Sequence, residues 1–182
     1  TPVLRAPFVP RGAGGCYPEL ILKREEMERL VHPALTGNHL SYISFTPFFA
    51  SPEALASVWQ ANGVRIAGLG CQAGRSFAAV SADGDIAPCV QLLDSPATCG
   101  NVMRDKLSEV LESHPVFEQL RKRDAYEGKC GRCRYGMSCG GCRALALYAG
   151  DGLFSEDPTC FFEPSSPDDV SPLEEEQTRG VK

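Results

Sequence analysis

The apolar positions of this 182-residue chain fall into short blocks whose period changes along its length. From Leu20 to Val31, Leu20, Leu22, Met27, Leu30 and Val31 recur at mostly helical spacing, and Pro33 helps to end the segment. Leu40 to Phe45 alternates apolar and small polar residues, the period of a strand. Ser51 then caps a predicted helix with Pro52 at its first position and Glu53 in its first turn; it runs to about Asn62 and stops at Gly63. Val64 to Leu69 reads as a second short buried strand. Strand, helix and strand with brief connections form the pattern of a parallel crossover, and one such unit cannot cover its own sheet.

The pattern then shortens. Ser76 to Ser81 and Asp85 to Cys89 read as two strands joined at Ala82-Asp83-Gly84, where Asp-Gly is a hairpin signal. Periodic apolar residues predict helices from Asp105 to Leu111 and from Pro115 to about Arg123, with Pro115 at a permitted first-turn position. Arg143 to Ala149 predicts a further helix ended by Gly150. At the start, Pro2, Pro7 and Pro10 followed by Gly12, Gly14 and Gly15 suit an extended arm ending in a mobile turn. Beyond Pro164 the chain is rich in Pro, Ser, Asp and Glu and reads as a solvated acidic tail. The expected fold class is α+β.

Composition narrows the picture in three ways. With 43% apolar residues the chain builds an ordinary core. The formal net charge is -5, and Arg121, Lys122 and Arg123 sit beside Glu118 and Asp124, which argues against a nucleic-acid surface. No apolar run approaches the ~20 residues that span a bilayer. Nine cysteines is an odd number, and no leading stretch has the form of a secretion signal; a reducing compartment, the cytoplasm, is therefore expected. His32, His39 and His114 stand next to no ligand motif, and Trp59, Phe45 and Phe48 read as core.

Cysteine placement carries the chemistry. Cys130, Cys133, Cys139 and Cys142 put four thiols within thirteen residues, interleaved with glycines that let the backbone curl and aim several sulfurs at one centre. Structural disulfides fit poorly with the odd count. Two Cys-x-x-Cys pairs suit a tetrahedral zinc site, yet only five residues separate them, against about fifteen to twenty in zinc ribbons. Iron–sulfur chemistry accommodates close ligands, because the thiolates reach around the irons of a cluster. Cys16 stands apart and reads first as a small buried apolar residue. Arg143, directly after Cys142, is open to two readings: a donor to a cluster or carboxylated substrate, or a solvated helix position.

The wider framework is Cys71, Gly84, Cys89, then Cys130-x2-Cys133-x5-Cys139-x2-Cys142 and Cys160. It resembles the SPASM domain, the carboxyl-terminal module of many radical S-adenosylmethionine enzymes, over about residues 70 to 163. Gly70-Cys71-x-Ala73-Gly74, Gly84-Asp85-Ile86-x-Pro88-Cys89, Gly100-Asn101-Val102 and Gly128-Lys129-Cys130-Gly131-x-Cys133 are similar to the branch that makes haem and d-type haem. So are Cys139-Gly140-Gly141-Cys142-Arg143-Ala144, Gly150-Asp151 and Asp157-Pro158-x-Cys160.

The resemblance implies one or two auxiliary [4Fe-4S] clusters. Cys130, Cys133, Cys139 and Cys160 would hold the outer one, and Cys71, Cys89 and Cys142 the inner one. The inner set lacks a fourth ligand, for which Cys99, Cys16, a water or a substrate atom are the candidates. Two residues separate the last paired cysteines, where many family members have three. The implied work is electron transfer or substrate positioning, on tetrapyrrole side chains or on a peptide; a non-catalytic zinc or iron–sulfur interaction module is the reading from another class.

The family's catalytic Cys-x3-Cys-x2-Cys is absent from these residues. The chain alone is thus not expected to cleave S-adenosylmethionine, and a partner polypeptide or a missing amino-terminal half would carry the radical barrel. The expected organisation is an arm and the end of a partial (β/α) barrel over 1–69, a cluster domain of β-hairpin and short helices over 70–163, and the tail over 164–182.

Overall fold

The computed structural model describes residues 7–29, 70–166 and 168–170. The strand-helix-strand expectation for residues 40–69, and with it the partial barrel, lies outside the described residues, as do the end of the first predicted helix and residues 171–182 of the tail. The chain divides into two compact units, Gln72–Tyr126 and, from the two ends of the chain, Thr1–Cys71 with Glu127–Lys182.

The first of these is built on a three-stranded antiparallel sheet in the order β1 (Ala79–Val80), β2 (Asp85–Ala87), β3 (Gly100–Asn101). Ala79 faces Ala87 and Val80 faces Ile86; Asp85 faces Asn101 and Ile86 faces Gly100. The predicted hairpin is present, but its strands are shorter than the alternation suggested. The N–H groups of Arg75, Ser76 and Phe77 all turn back onto the Gln72 carbonyl, so these residues have no donors left for a ladder. At the far end Pro88 has no N–H to give, and pairing stops at Ala87.

β3 was not read from the sequence. It exists because Asn101 is buried and pinned: its Nδ2 donates to the Asp83 carbonyl at 2.9 Å and to Asp85 Oδ1 at 2.8 Å, and its own N–H donates to Asp105 Oδ2 at 2.8 Å. Because Asp105 is engaged there and Lys106 is extended, helix α1 (Leu107–Ser113) starts two residues later than expected. His114 separates it from α2 (Pro115–Lys122), accepting the Val116 N–H on Nδ1 at 3.3 Å. Arg121 donates to the last carbonyls of α1, Leu111 and Glu112, at 2.6 and 2.7 Å. Ile86, Cys99 and Phe117 form the core, with Val110, Leu111 and Val116 packed against it.

In the other unit the leading arm is more regular than its prolines and glycines implied. It forms 3-10 turns at Gly12–Cys16 and Pro18–Leu20, and residues 24–29 are helical. Met27 is wholly buried. Helix α3 (Gly128–Arg132) was not expected, since two of its five residues are glycine; it is started from outside, by the Glu156 carboxylate accepting the Lys129 N–H at 2.8 Å. Helix α4 (Arg143–Ala149) matches its predicted span, and its first four residues are buried. Pro164, beyond which the acidic tail was expected, is buried, and its carbonyl accepts from Arg132 Nε at 3.2 Å. Among the described residues no helix is long and apolar enough to cross a membrane.

Candidate metal centre

Four cysteines from three segments line one cavity: Cys130 from α3, Cys133 and Cys139 from the glycine-rich loop after it, and Cys160 from the loop that follows α4. Cys142, the fourth thiol of the dense stretch, is not among the lining residues. The loop turns inward at Gly140 and Gly141, both with positive φ (71° and 56°), which separates Cys142 from its neighbours in sequence. Cys142 instead begins α4, with its N–H donating to Asp157 Oδ2 at 2.7 Å.

The walls suit a thiolate-held group shielded from water. Tyr135 and Phe162 meet edge to face with ring centroids 5.8 Å apart, and Pro164 lies beside them in the lining. Gly141 N–H donates to Cys139 Sγ at 3.4 Å, the type of bond that stabilises a thiolate ligand. Burial pushes the Cys133 thiol up, and Cys130 nearby adds to this, while the Tyr135 backbone and Arg134 oppose it. Cys160 is also raised, by burial first and then by Cys139. Neighbouring buried thiols of this kind lose their protons to a bound metal rather than to water. Among the described residues no three His, Cys, Asp or Glu side chains close on a single ion.

Two ionic groups that sequence reasoning left without a role hold the cavity in shape. Lys129 is buried at its edge; Nζ donates to the Cys160 carbonyl at 2.8 Å and pairs with Glu163 at 3.0 Å and Glu156 at 3.6 Å. Arg24 reaches the same two carboxylates. Burial alone would raise the Glu156 carboxyl, but Lys129 and Arg24 outweigh it and hold it below the ordinary carboxylate range. Asp157 is fully buried and ties the two ends of the site together: Oδ2 takes the Cys142 N–H, and Oδ1 takes the Thr159 N–H at 2.9 Å and hydroxyl at 2.7 Å. Burial pushes its carboxyl up, against the pull of these donors and of Arg143. The one available signal was a charged residue one to three positions from a cysteine, in Lys129-Cys130 and Asp157-Pro158-x-Cys160.

The remaining candidates are not among the residues that line this cavity. Cys71 donates its N–H to the Cys139 carbonyl at 2.8 Å, so its backbone is fastened to the cysteine loop. This close approach depends on Gly70, whose φ is 62° and whose added Cβ would lie 2.2 Å from the Cys139 oxygen and 2.3 Å from the Ser138 oxygen. Gly70→Ala is expected to cost about 2–4 kcal/mol in a denaturant titration, from left-handed strain plus overlap with backbone. Cys89, in the sheet unit, precedes a 3-10 turn at Val90–Leu92 and is partly exposed.

Cys99 is seated in the core of that unit, with Sγ 3.1 Å from the Ala97 carbonyl, and burial pushes its thiol up to about 11. Cys16 is exposed, not the buried residue expected. In the folded protein Cys99 should react with iodoacetamide roughly 100-fold more slowly than Cys16, a difference that mass spectrometry of timed samples reads directly. None of the nine cysteines forms a disulfide.

Residues 71–134 match the SPASM family, described as an iron–sulfur cluster-binding domain. This match is to the class that the cysteine spacing had pointed to, and it ends before Cys139, Cys142 and Cys160. The chain's likeness is to enzymes of haem biosynthesis. The chain is 34% identical over 115 residues to the AdoMet-dependent heme synthase of Methanosarcina barkeri, covering 63% of this chain and 32% of that protein. It is 38% identical over 96 residues to proteins of the same name from Oleidesulfovibrio alaskensis and Nitratidesulfovibrio vulgaris, covering 52% of this chain and 24% and 25% of theirs. The chain therefore spans between about a quarter and a third of the length of these curated relatives.

Proposed function

We propose that this chain is the auxiliary-cluster part of a radical S-adenosylmethionine maturase, and that Cys130, Cys133, Cys139 and Cys160 hold a [4Fe-4S] cluster. The observation that carries this reading is the cavity lined by those four thiols and walled by Tyr135, Phe162 and Pro164. When bound, the cluster supplies one-electron uptake and release. The chain's own residues do the rest: the aromatic and proline walls exclude water, Gly141 N–H steadies the Cys139 thiolate, and Lys129 anchors the loop that delivers Cys160. The names of the relatives support a tetrapyrrole as the substrate of the whole protein. The radical barrel would be encoded outside these 182 residues, which contain no Cys-x3-Cys-x2-Cys.

Anaerobic purification followed by iron, acid-labile sulfide and zinc analysis tests the cluster. Iron and sulfide in equal amounts are expected. Stoichiometric zinc without sulfide would sink the reading in favour of a zinc module.

A further inference from the structure

Arg143 is wholly buried at the start of α4. One terminal nitrogen donates to the carbonyls of Leu153 at 3.0 Å and Ser155 at 2.7 Å. The other lies 3.7 Å from Cys130 Sγ, within reach of an N–H···S bond. Gly141 leaves the space for this approach. A Cβ there would come 2.7 Å from that nitrogen and 3.3 Å from the Cys130 sulfur, so only glycine lets guanidinium and thiol meet. The solvated-helix reading of Arg143 is thereby overturned.

We propose that Arg143 sets the reduction potential of the cluster, raising it by donating to the Cys130 thiolate and by holding a fixed positive charge in a dry site. The proposal rests on the cluster reading above. Reduction adds one electron, from an external one-electron donor, and breaks no bond; the added negative charge spreads over irons and thiolates. A donor at the sulfur therefore stabilises the reduced form more than the oxidised one. Arginine keeps its charge when buried, whereas a lysine in the same place would tend to lose its proton. Lys129, the other buried cation at the cavity, is directed to Cys160 O, Glu156 and Glu163, so its charge is offset locally. Asp157 partly offsets Arg143, but its oxygens face the Cys142 and Thr159 donors. The guanidinium is the group that touches the thiol.

The test is redox potentiometry of the anaerobically reconstituted chain, following the electron paramagnetic resonance signal of the reduced cluster. Arg143→Gln should lower the midpoint, with iron and sulfide unchanged. A midpoint that stays put in Arg143→Gln at wild-type iron and sulfide content overturns the proposal. Because a buried arginine can also be needed for folding, wild-type protein labelled with guanidino-15N arginine provides a second readout by pulsed resonance. A 15N coupling to the reduced cluster is expected, and its absence from the wild-type protein overturns the proposal whatever the variant does. Wild-type protein without iron and sulfide would instead refute the cluster itself.

Discussion

Cys139→Ala should strip the cavity of its metal while leaving the chain folded, with iron and acid-labile sulfide falling by about four each per chain. The backbone ties at this residue do not involve the thiol. Its carbonyl accepts from Cys71 and its N–H donates to the Tyr135 carbonyl, and both bonds survive in alanine. What disappears is one of four sulfurs around a shared cavity, together with the Gly141 N–H···S bond. Cys142→Ala is the control, because Cys142 does not line that cavity. If Cys142→Ala empties the site as completely as Cys139→Ala, while both variants keep wild-type circular dichroism, the assignment of the four ligands is wrong.

The second large effect is expected at a residue that bears no metal. Asp157→Ala removes the acceptor for the Cys142 N–H, the Thr159 N–H and the Thr159 hydroxyl, and takes a counter-charge from buried Arg143. Leaving such buried donors unsatisfied costs about 3–5 kcal/mol in total. A urea titration of the apo chain should show that loss, and the variant should also retain its metal poorly, because Cys160 follows Thr159 directly. Asp157→Asn, which keeps one acceptor oxygen, should lose less. Equal and small losses in the two variants would show that the carboxylate is not what joins the loop to α4.

Local features were legible where one short stretch decides its own conformation. The Asp83-Gly84 turn and α4 came through because a glycine with positive φ and a run of Ala and Leu need little help from elsewhere. Strand lengths did not, since alternation says nothing of the Gln72 carbonyl collecting three N–H groups or of where Pro88 interrupts a ladder. β3 and α3 were missed for a common reason. Each is two to five residues long and contains glycine, and each is held by a side chain distant in sequence, Asn101 against Asp83 and Asp85, and Glu156 against Lys129. Cys16 shows the limit of composition: cysteine is usually buried, and this one lies exposed at the end of a 3-10 turn.

For the metal centre, the sequence by itself determined the donors: how many thiols there are, their spacing, and the glycines between them. These are covalent facts, and they were enough to indicate a sulfur-rich site and the SPASM class. Only the tertiary structure decided which thiols share a cavity and what surrounds them. Cys160 is brought to Cys130, Cys133 and Cys139 by ion pairs and hydrogen bonds that span about thirty residues of chain, and Cys142 is turned away by two left-handed glycines. Arg143 has the same identity on a solvated helix face as it has here. Its burial against Cys130, which gives it a part in the site, follows from packing of separate segments, a long-range property that no local pattern encodes.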